Sequence, residues 1–215
     1  MTPAASSSGV FISFEGGDGA GKSTQIRLLA EALRVAGREV VITREPGGSP
    51  GAEAIRKLML EGAADRWSPL TEALMMYAAR ADHLECTIEP ALNCGAVVIT
   101  DRFADSTMAY QGLAGALGEK AVASLHDLVV ASREPSLTII LDLPVSEGLK
   151  RASASGVEQR FESKGAAYHE KVRQAFLEIA RRAPQRCAVV SAEGSADAVA
   201  ARVRTAVSAR LPGLL

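Results

Sequence analysis

A chain of 215 residues, 47% hydrophobic and 23% charged, can bury a full core and is short enough to form one domain. Its 24 basic and 25 acidic side chains leave a net charge of -1, which excludes non-specific electrostatic association with nucleic acid, so any phosphate site must be local. Three cysteines without C-x-x-C spacing, Cys86, Cys94 and Cys187, exclude a disulfide framework and a zinc site and read as buried thiols in a reducing cytosol.

Residues 1–9 carry no basic start and no apolar stretch, so they are expected to be a disordered tail rather than an export signal. No later apolar run reaches the length of a membrane span, and a cytoplasmic protein without a membrane partner is expected. From Val10 the chain turns apolar (Val10-Phe11-Ile12-Ser13-Phe14), as a short strand does. It then reads Gly16-Gly17-Asp18-Gly19-Ala20-Gly21-Lys22-Ser23-Thr24 and continues into a helix predicted from Lys22 to Ala36. A glycine-rich loop between strand and helix is a P-loop: the glycines let backbone N–H groups turn inward, Lys22 supplies a charge for the β and γ phosphates, and the Ser23 hydroxyl can ligate Mg²⁺.

Short β-branched runs recur at Val40 to Thr43, Ala96 to Thr100, Leu137 to Leu141 and Cys187 to Ser191. Helical spacing lies between them, from Ala52 to Glu61, Pro69 to Cys94, Glu119 to Arg133, Val145 to Ala154, Gly165 to Arg182 and Ala196 to Arg210. This alternation predicts an α/β fold with a parallel five-stranded sheet covered on both faces, as one domain over 10–215.

Three further segments carry chemistry. Thr43-Arg44-Glu45-Pro46-Gly47-Gly48 closes the second strand with charge, and Glu45-Pro46 is a candidate cis bond in a tight turn. On the long helix Met76 and Arg80 share a face, where a methionine suits core and an arginine does not. The apolar strand Ala96 to Thr100 ends in Asp101-Arg102. Strand C-termini line the ligand crevice of such sheets, which puts Asp101 near a metal or its waters and Arg102 near a second phosphate. Beyond it Ser106, Thr107, Tyr110 and Gln111 fall three and four apart, one polar patch on a helix. The small, polar and charged stretch from Ser153 to Gly165 is a candidate lid. A kinase acting on a hydroxyl needs a carboxylate base, whereas a phosphate acceptor needs charge clamps, and Arg44, Arg80 and Arg102 fit the clamp. His83, His126 and His169 are scattered and read as helix-surface or core residues.

These segments resemble the bacterial thymidylate kinase family, in the family's order: Phe14 to Thr24, Thr43 to Gly48, Tyr77-Ala78-Ala79-Arg80, and Asp101 to Gly112. The likeness runs from about residue 10 to the C-terminus. It implies a three-layer P-loop nucleoside triphosphate hydrolase-like fold with a short lid over 153–165, and transfer of the ATP γ-phosphoryl group to dTMP with Mg²⁺, in dTTP biosynthesis, by a homodimer. By position it implies that Asp18 accepts from the sugar 3′-hydroxyl and that Arg102 holds the dTMP phosphate. Arg80 and Thr107 read the thymine edge, Tyr110 crowds the 2′ position, and Gln111 lies close to the base, with Arg44, Glu45 and Ser106 in the same site. The chain departs from the family in two places. Met76 stands where many members stack a phenylalanine on thymine, and Ser153 and Ser155 stand where lid arginines are common. Arg151 and Arg160 remain as lid cations, with Arg160 the expected partner of the transferring phosphoryl group. A deoxynucleoside kinase acting on a 5′-hydroxyl, and a P-loop ATPase switch, are the alternative readings.

Overall fold

The computed structural model describes residues 9–61, 66–155 and 165–215. In chain order the described elements are β1 (Val10–Glu15), α1 (Lys22–Val35), β2 (Val40–Arg44), α2 (Pro50–Leu60), α3 (Pro69–His83), α4 (Glu89–Asn93), β3 (Val97–Asp101), α5 (Ala104–Thr107), α6 (Glu119–Val129), β4 (Leu137–Asp142), α7 (Val145–Ser155), α8 (Ala166–Arg182), β5 (Cys187–Ser191) and α9 (Ala196–Arg210). The strands form one parallel sheet in the order β2-β3-β1-β4-β5. The order reverses at β1 and β3, and at that switch point the strand ends are level: Asp101 stands opposite both Phe14 and Arg44.

The two-residue period of the strands sorts their side chains between two unlike faces. Ile12, Phe14, Val97, Ile99, Ile139 and Leu141 pack under α1 and α9 in a wholly apolar cluster. On the opposite face Phe11 and Val98 pack with Tyr77 and Phe103, and Ile140 packs under α8, but buried polar residues interleave with them: Ser13, Glu15, Thr100 and Thr138. Ser13 and Thr138 satisfy each other at 2.8 Å. This polar stripe leads toward the strand ends where the site lies.

Local chemistry explains where the helices begin and end. Pro50 and Pro69 open α2 and α3, a position where the missing N–H costs nothing. The Ser68 and Ser195 hydroxyls accept the N–H groups of Thr71 and Ala198, each cap contributing about 1 kcal/mol. The helix expected from Pro69 to Cys94 is not continuous. α3 gives way to a π-helical turn over Leu84–Ile88 before α4, because Pro90 has no N–H to offer the preceding turn. A second π-helical turn, Met108–Leu113, follows α5 and carries Tyr110 and Gln111. α6 stops at Val129 rather than Arg133, and Ala131 takes a left-handed φ of 50° in the turn that follows. Of the three thiols only Cys187 is buried; Cys86 and Cys94 lie on the outward side of the π turn and at the end of α4. The tail expected over 1–9 lies outside the described residues except for Gly9, and the lid except for 153–155, which continue α7, and Gly165.

Candidate active site

Between β1 and α1 the backbone folds back against β4 and α7 more closely than a side chain allows. A Cβ on Gly16 would stand 2.4 Å from the Leu141 carbonyl oxygen, and one on Gly19 2.0 Å from that of Gly148; both residues have positive φ. Lys22 curls over the loop, its Nζ donating to the Gly16 and Gly17 carbonyls at 3.2 and 3.1 Å. Burial and the nearby Arg102 charge lower its pKa, against the pull of Asp101, Asp18 and Glu15. α1 begins just after Gly21, with no side-chain cap and no acidic residue in its first turn, so its leading N–H groups and dipole face the loop. Beyond Lys22, Ser23 Oγ donates to Asp101 Oδ2 at 2.8 Å, bringing two side-chain oxygens together across 78 residues.

Arg102 follows with φ at 68°, a left-handed conformation that costs a non-glycine residue roughly 1–2 kcal/mol. Its N–H donates to the Phe14 carbonyl at 2.9 Å, and its carbonyl accepts the Thr100 hydroxyl at 2.8 Å. These bonds, each worth about 1 kcal/mol net, offset the strain. From this turn the guanidinium reaches toward the P-loop, where it donates to Asp18 Oδ1 at 2.6 Å, to Ser106 Oγ at 3.0 Å and to the Gly16 carbonyl at 3.2 Å, over the ring of Tyr110. Burial alone would raise the Asp18 pKa, but the Arg102 and Lys22 charges hold it below the usual carboxylate range. The next residues bond to the end of β1: Glu15 accepts the Phe103 N–H at 2.7 Å and the Ser106 hydroxyl at 2.6 Å. Burial, reinforced by the Asp105 carboxylate, pushes Glu15 up to about 8.

A second arginine is sunk in the wall formed by α3. Arg80 is only 2% exposed, and its guanidinium lies 4.6 Å from the Tyr77 ring centre and 5.2 Å from that of Phe103. Nε donates to Glu45 Oε2 at 2.8 Å and Nη2 to the Thr107 hydroxyl at 3.0 Å. The other Glu45 oxygen meets His83 Nδ1 at 3.1 Å, and His83 Nε2 meets the Thr43 hydroxyl at 2.7 Å. A neutral ring protonated on Nδ1 satisfies both contacts, donating to the carboxylate and accepting from Thr43. The Glu45-Pro46 bond is cis, as expected. Arg44, by contrast, is exposed and paired with Glu53 at 3.0 Å, a contact worth under about 1 kcal/mol that a ligand can displace.

The P-loop from Asp18 onward, Asp101 and the three arginines line a single cleft of about 740 Å³, with Glu15, Thr43 and His83 behind its lining. Arg44, Met76, Arg80, Arg102, Thr107 and Gln111 surround one end; Gln25, Arg151, Ala192, Gly194 and Ala196 surround the other. A thymidylate kinase family model matches residues 14–203. The chain belongs to the thymidylate kinase family. It is 60% identical over 203 residues to the thymidylate kinase of Caulobacter vibrioides, covering 94% of this chain and 98% of that protein. It is 53% identical to the thymidylate kinase of Ruegeria pomeroyi over 96% of this chain and 98% of that one. The crystal structure of the Ehrlichia chaffeensis thymidylate kinase matches with a TM-score of 0.75 at 35% identity, covering 93% of this chain and 98% of that chain.

Within this thymidylate kinase fold the residues singled out from sequence converge, with three qualifications. Arg80 is neutralised by Glu45, so it does not act as a third phosphate clamp beside Arg44 and Arg102. Arg151 lies at the P-loop's far side from Arg80, donating to the Ala192 carbonyl at 3.3 Å and to Glu147 at 3.1 Å. Arg160 falls outside the described residues. Sequence reasoning missed Glu15 and His83, which brace the two arginines, and Gln25, whose Nε2 bonds the Ala196 carbonyl at 3.0 Å at the other end of the cleft. A carboxylate inside an apolar strand was the available signal for Glu15. For His83 the signal was its position one residue short of a full helical turn from Arg80, with both on the buried side of α3.

Proposed function

We propose that this thymidylate kinase family member transfers the γ-phosphoryl group of ATP to the phosphate of dTMP, giving dTDP and ADP. The observation that carries the reading is one cleft with a P-loop at its centre and two arginines of different character at its acceptor end. The P-loop backbone, the start of α1 and Lys22 hold the donor phosphates. The acceptor phosphate is largely ionised near pH 7, with a second pKa of about 6, so attack requires no base. The carboxylates nearby are already engaged: Asp18 by Arg102, Glu15 by Phe103 and Ser106, Glu45 by Arg80 and His83. This favours a phosphate over a hydroxyl as acceptor and argues against a deoxynucleoside kinase. The arriving phosphate competes with Asp18 for the Arg102 fork, which releases Asp18 to accept from the sugar 3′-hydroxyl.

Arg80 Nη1 is buried and has no hydrogen-bond partner among the described residues, while its other donors are committed. A carbonyl on the thymine edge satisfies it, with Thr107 and Gln111 beside it and Met76 against the ring face. Tyr110, next to Arg102, closes the sugar subsite against a 2′-hydroxyl. Ser23 and Asp101 present oxygen donors that suit Mg²⁺. No cluster of three His, Cys, Asp or Glu side chains capable of holding a metal occurs among the described residues, which fits an ion completed by phosphates and water. Held by Ser23 and Asp101, Mg²⁺ would supply neutralising charge to the phosphate oxygens. Arg160 supplies further positive charge to the transferring group, and Arg151 supports the donor end.

Leu70 and Leu74 stand one turn apart on α3, 51% and 48% exposed, and Leu128 on the adjoining α6 is 78% exposed. A second copy of the chain covers this apolar face in the homodimer we propose. No helix among the described residues is long and apolar enough to cross a membrane, and a cytoplasmic location fits the nucleotide substrates.

A coupled ADP-release assay with ATP and Mg²⁺ tests the reading, comparing dTMP, dUMP, UMP, CMP and thymidine as acceptors. Strong turnover with dTMP, weaker with dUMP and none with thymidine is expected. Turnover with thymidine but not dTMP overturns it, and ADP release that ignores the acceptor points to an ATPase switch.

A further inference from the structure

Glu15 sits between the P-loop and Arg102 yet has no part in the chemistry above. It ends β1, is fully buried, and is not among the residues lining the cleft, so it does not reach a substrate. Both of its oxygens are spent on one short segment, the Phe103 N–H and the Ser106 hydroxyl. Ser106 Oγ accepts from Arg102 Nη1 in turn, so a continuous chain of bonds runs from Glu15 through Ser106 to the guanidinium. The same carboxyl therefore grips the backbone just after Arg102 and, through Ser106, the far end of its side chain. A buried carboxyl is costly unless bonded, and here both bonds fall on the segment that leaves the left-handed turn at Arg102.

We propose that Glu15 is a positioning residue for the acceptor phosphate, a strut from β1 that fixes both the left-handed turn and the guanidinium orientation of Arg102. The inference rests on the reading of Arg102 as the ligand of the dTMP phosphate. Removing the strut leaves Arg102 present and charged but free to turn away. The loss therefore falls on dTMP, whereas ATP, held by the loop backbone and Lys22, is spared. The strut also predicts tolerance of an uncharged side chain of the same length, because reach and bonding rather than charge do the positioning.

The test is steady-state kinetics of Glu15→Ala, Glu15→Gln and Glu15→Asp, alone and combined with Arg102→Ala. Glu15→Ala is expected to lower kcat/KM for dTMP by at least about tenfold with the KM for ATP within about twofold of wild type. Glu15→Gln restores most of that loss. In the Arg102→Ala background the Glu15→Ala effect shrinks to within about twofold, because the group it positions is gone. If the alanine variant does not fold, Glu15→Asp carries the same cycle, since it keeps the charge and shortens the reach by one methylene. A Glu15 effect that persists in full beside Arg102→Ala, one that falls equally on ATP, or a Glu15→Gln variant as damaged as Glu15→Ala overturns the inference. Unchanged dTMP kinetics in Arg102→Ala alone overturns the underlying reading of Arg102 instead.

Discussion

The two ends of the cleft are made of different materials. At the end proposed for the donor, the groups that would meet phosphate are backbone N–H groups from one contiguous run, with glycine at the points where β4 and α7 press closest and a single lysine folded over them. At the end proposed for the acceptor the groups are charged side chains, and two of them are held by carboxylates far away in the chain: Arg80 by Glu45, 35 residues apart, and Arg102 by Asp18, 84 apart. A backbone cradle keeps its shape while any one side chain is removed. A side-chain clamp depends on its partners, so a single truncation unbalances buried charge.

The sharpest separation of the two ends pairs Glu45→Ala with Lys22→Ala. Glu45→Ala strands the Arg80 guanidinium without its counter-charge in a wall where both side chains are almost wholly buried. Breaking such a pair costs about 3–5 kcal/mol, and urea unfolding is expected to report a loss of that size. Lys22→Ala removes a charge that burial already disfavours, and its unfolding free energy is expected to stay within about 1 kcal/mol of wild type. Its turnover falls by about 10²–10³-fold, the usual cost of losing one preorganised donor at a transition state. If Lys22→Ala is the less stable variant, or Glu45→Ala unfolds like wild type, the contrast between cradle and clamp is wrong.

This contrast also explains what could be read from the chain. The five strands, their parallel direction and the P-loop were legible because each is written in neighbouring residues: short apolar runs, a helical spacing, a glycine run. Arg102 was legible as a residue but not as a conformation, since nothing in Asp101-Arg102-Phe103 announces a left-handed turn until Phe14 and Thr100 are seen bonding it. The pairing of Arg80 was illegible for the same reason. An arginine on a helix face suggests a phosphate clamp, and only the fold brings Glu45 and His83 across to neutralise and brace it. The π turn ahead of Pro90 could have been anticipated, because a proline inside a helical pattern has to disturb the preceding turn.

The carboxyl groups around Arg102 give a second, smaller test through pH. Glu15 rises from an ordinary 4.5 to about 8 in the folded protein, whereas Asp18 is held low. A raised folded-state pKa means that the native state binds the proton more tightly than the unfolded chain. The stability tied to Glu15 is therefore complete below about pH 4.5 and is lost as pH rises through about 8, the reverse of the usual carboxylate. Asp18 behaves in the ordinary way, contributing above its unfolded pKa and losing that contribution as the pH falls. Urea midpoints measured from pH 5 to about 8.5 are expected to decline less in Glu15→Gln than in wild type. Parallel curves would show that Glu15 stays ionised throughout and that its two bonds outweigh its burial.

The finest distinction concerns the base itself. Met76 lines the cleft one helical turn from Arg80, half-buried, where the family resemblance implies phenylalanine in many members. A thioether against an aromatic ring recovers about 0.3–1.5 kcal/mol, and a ring against a ring about 0.5–1.5 kcal/mol, so Met76→Phe can add only a fraction of a kcal/mol. A gain in dTMP affinity of no more than about fivefold is expected by equilibrium titration. Stacking engages the whole pyrimidine face and does not register the thymine methyl, so dUMP affinity should rise in proportion and the ratio of the two stay fixed. A fall in both affinities would show that the cleft is shaped to the flexible methionine and has no room for a ring. A change in the ratio would place residue 76 at the methyl-bearing edge of the base instead of its face, and the thymine would then have to be turned relative to Arg80.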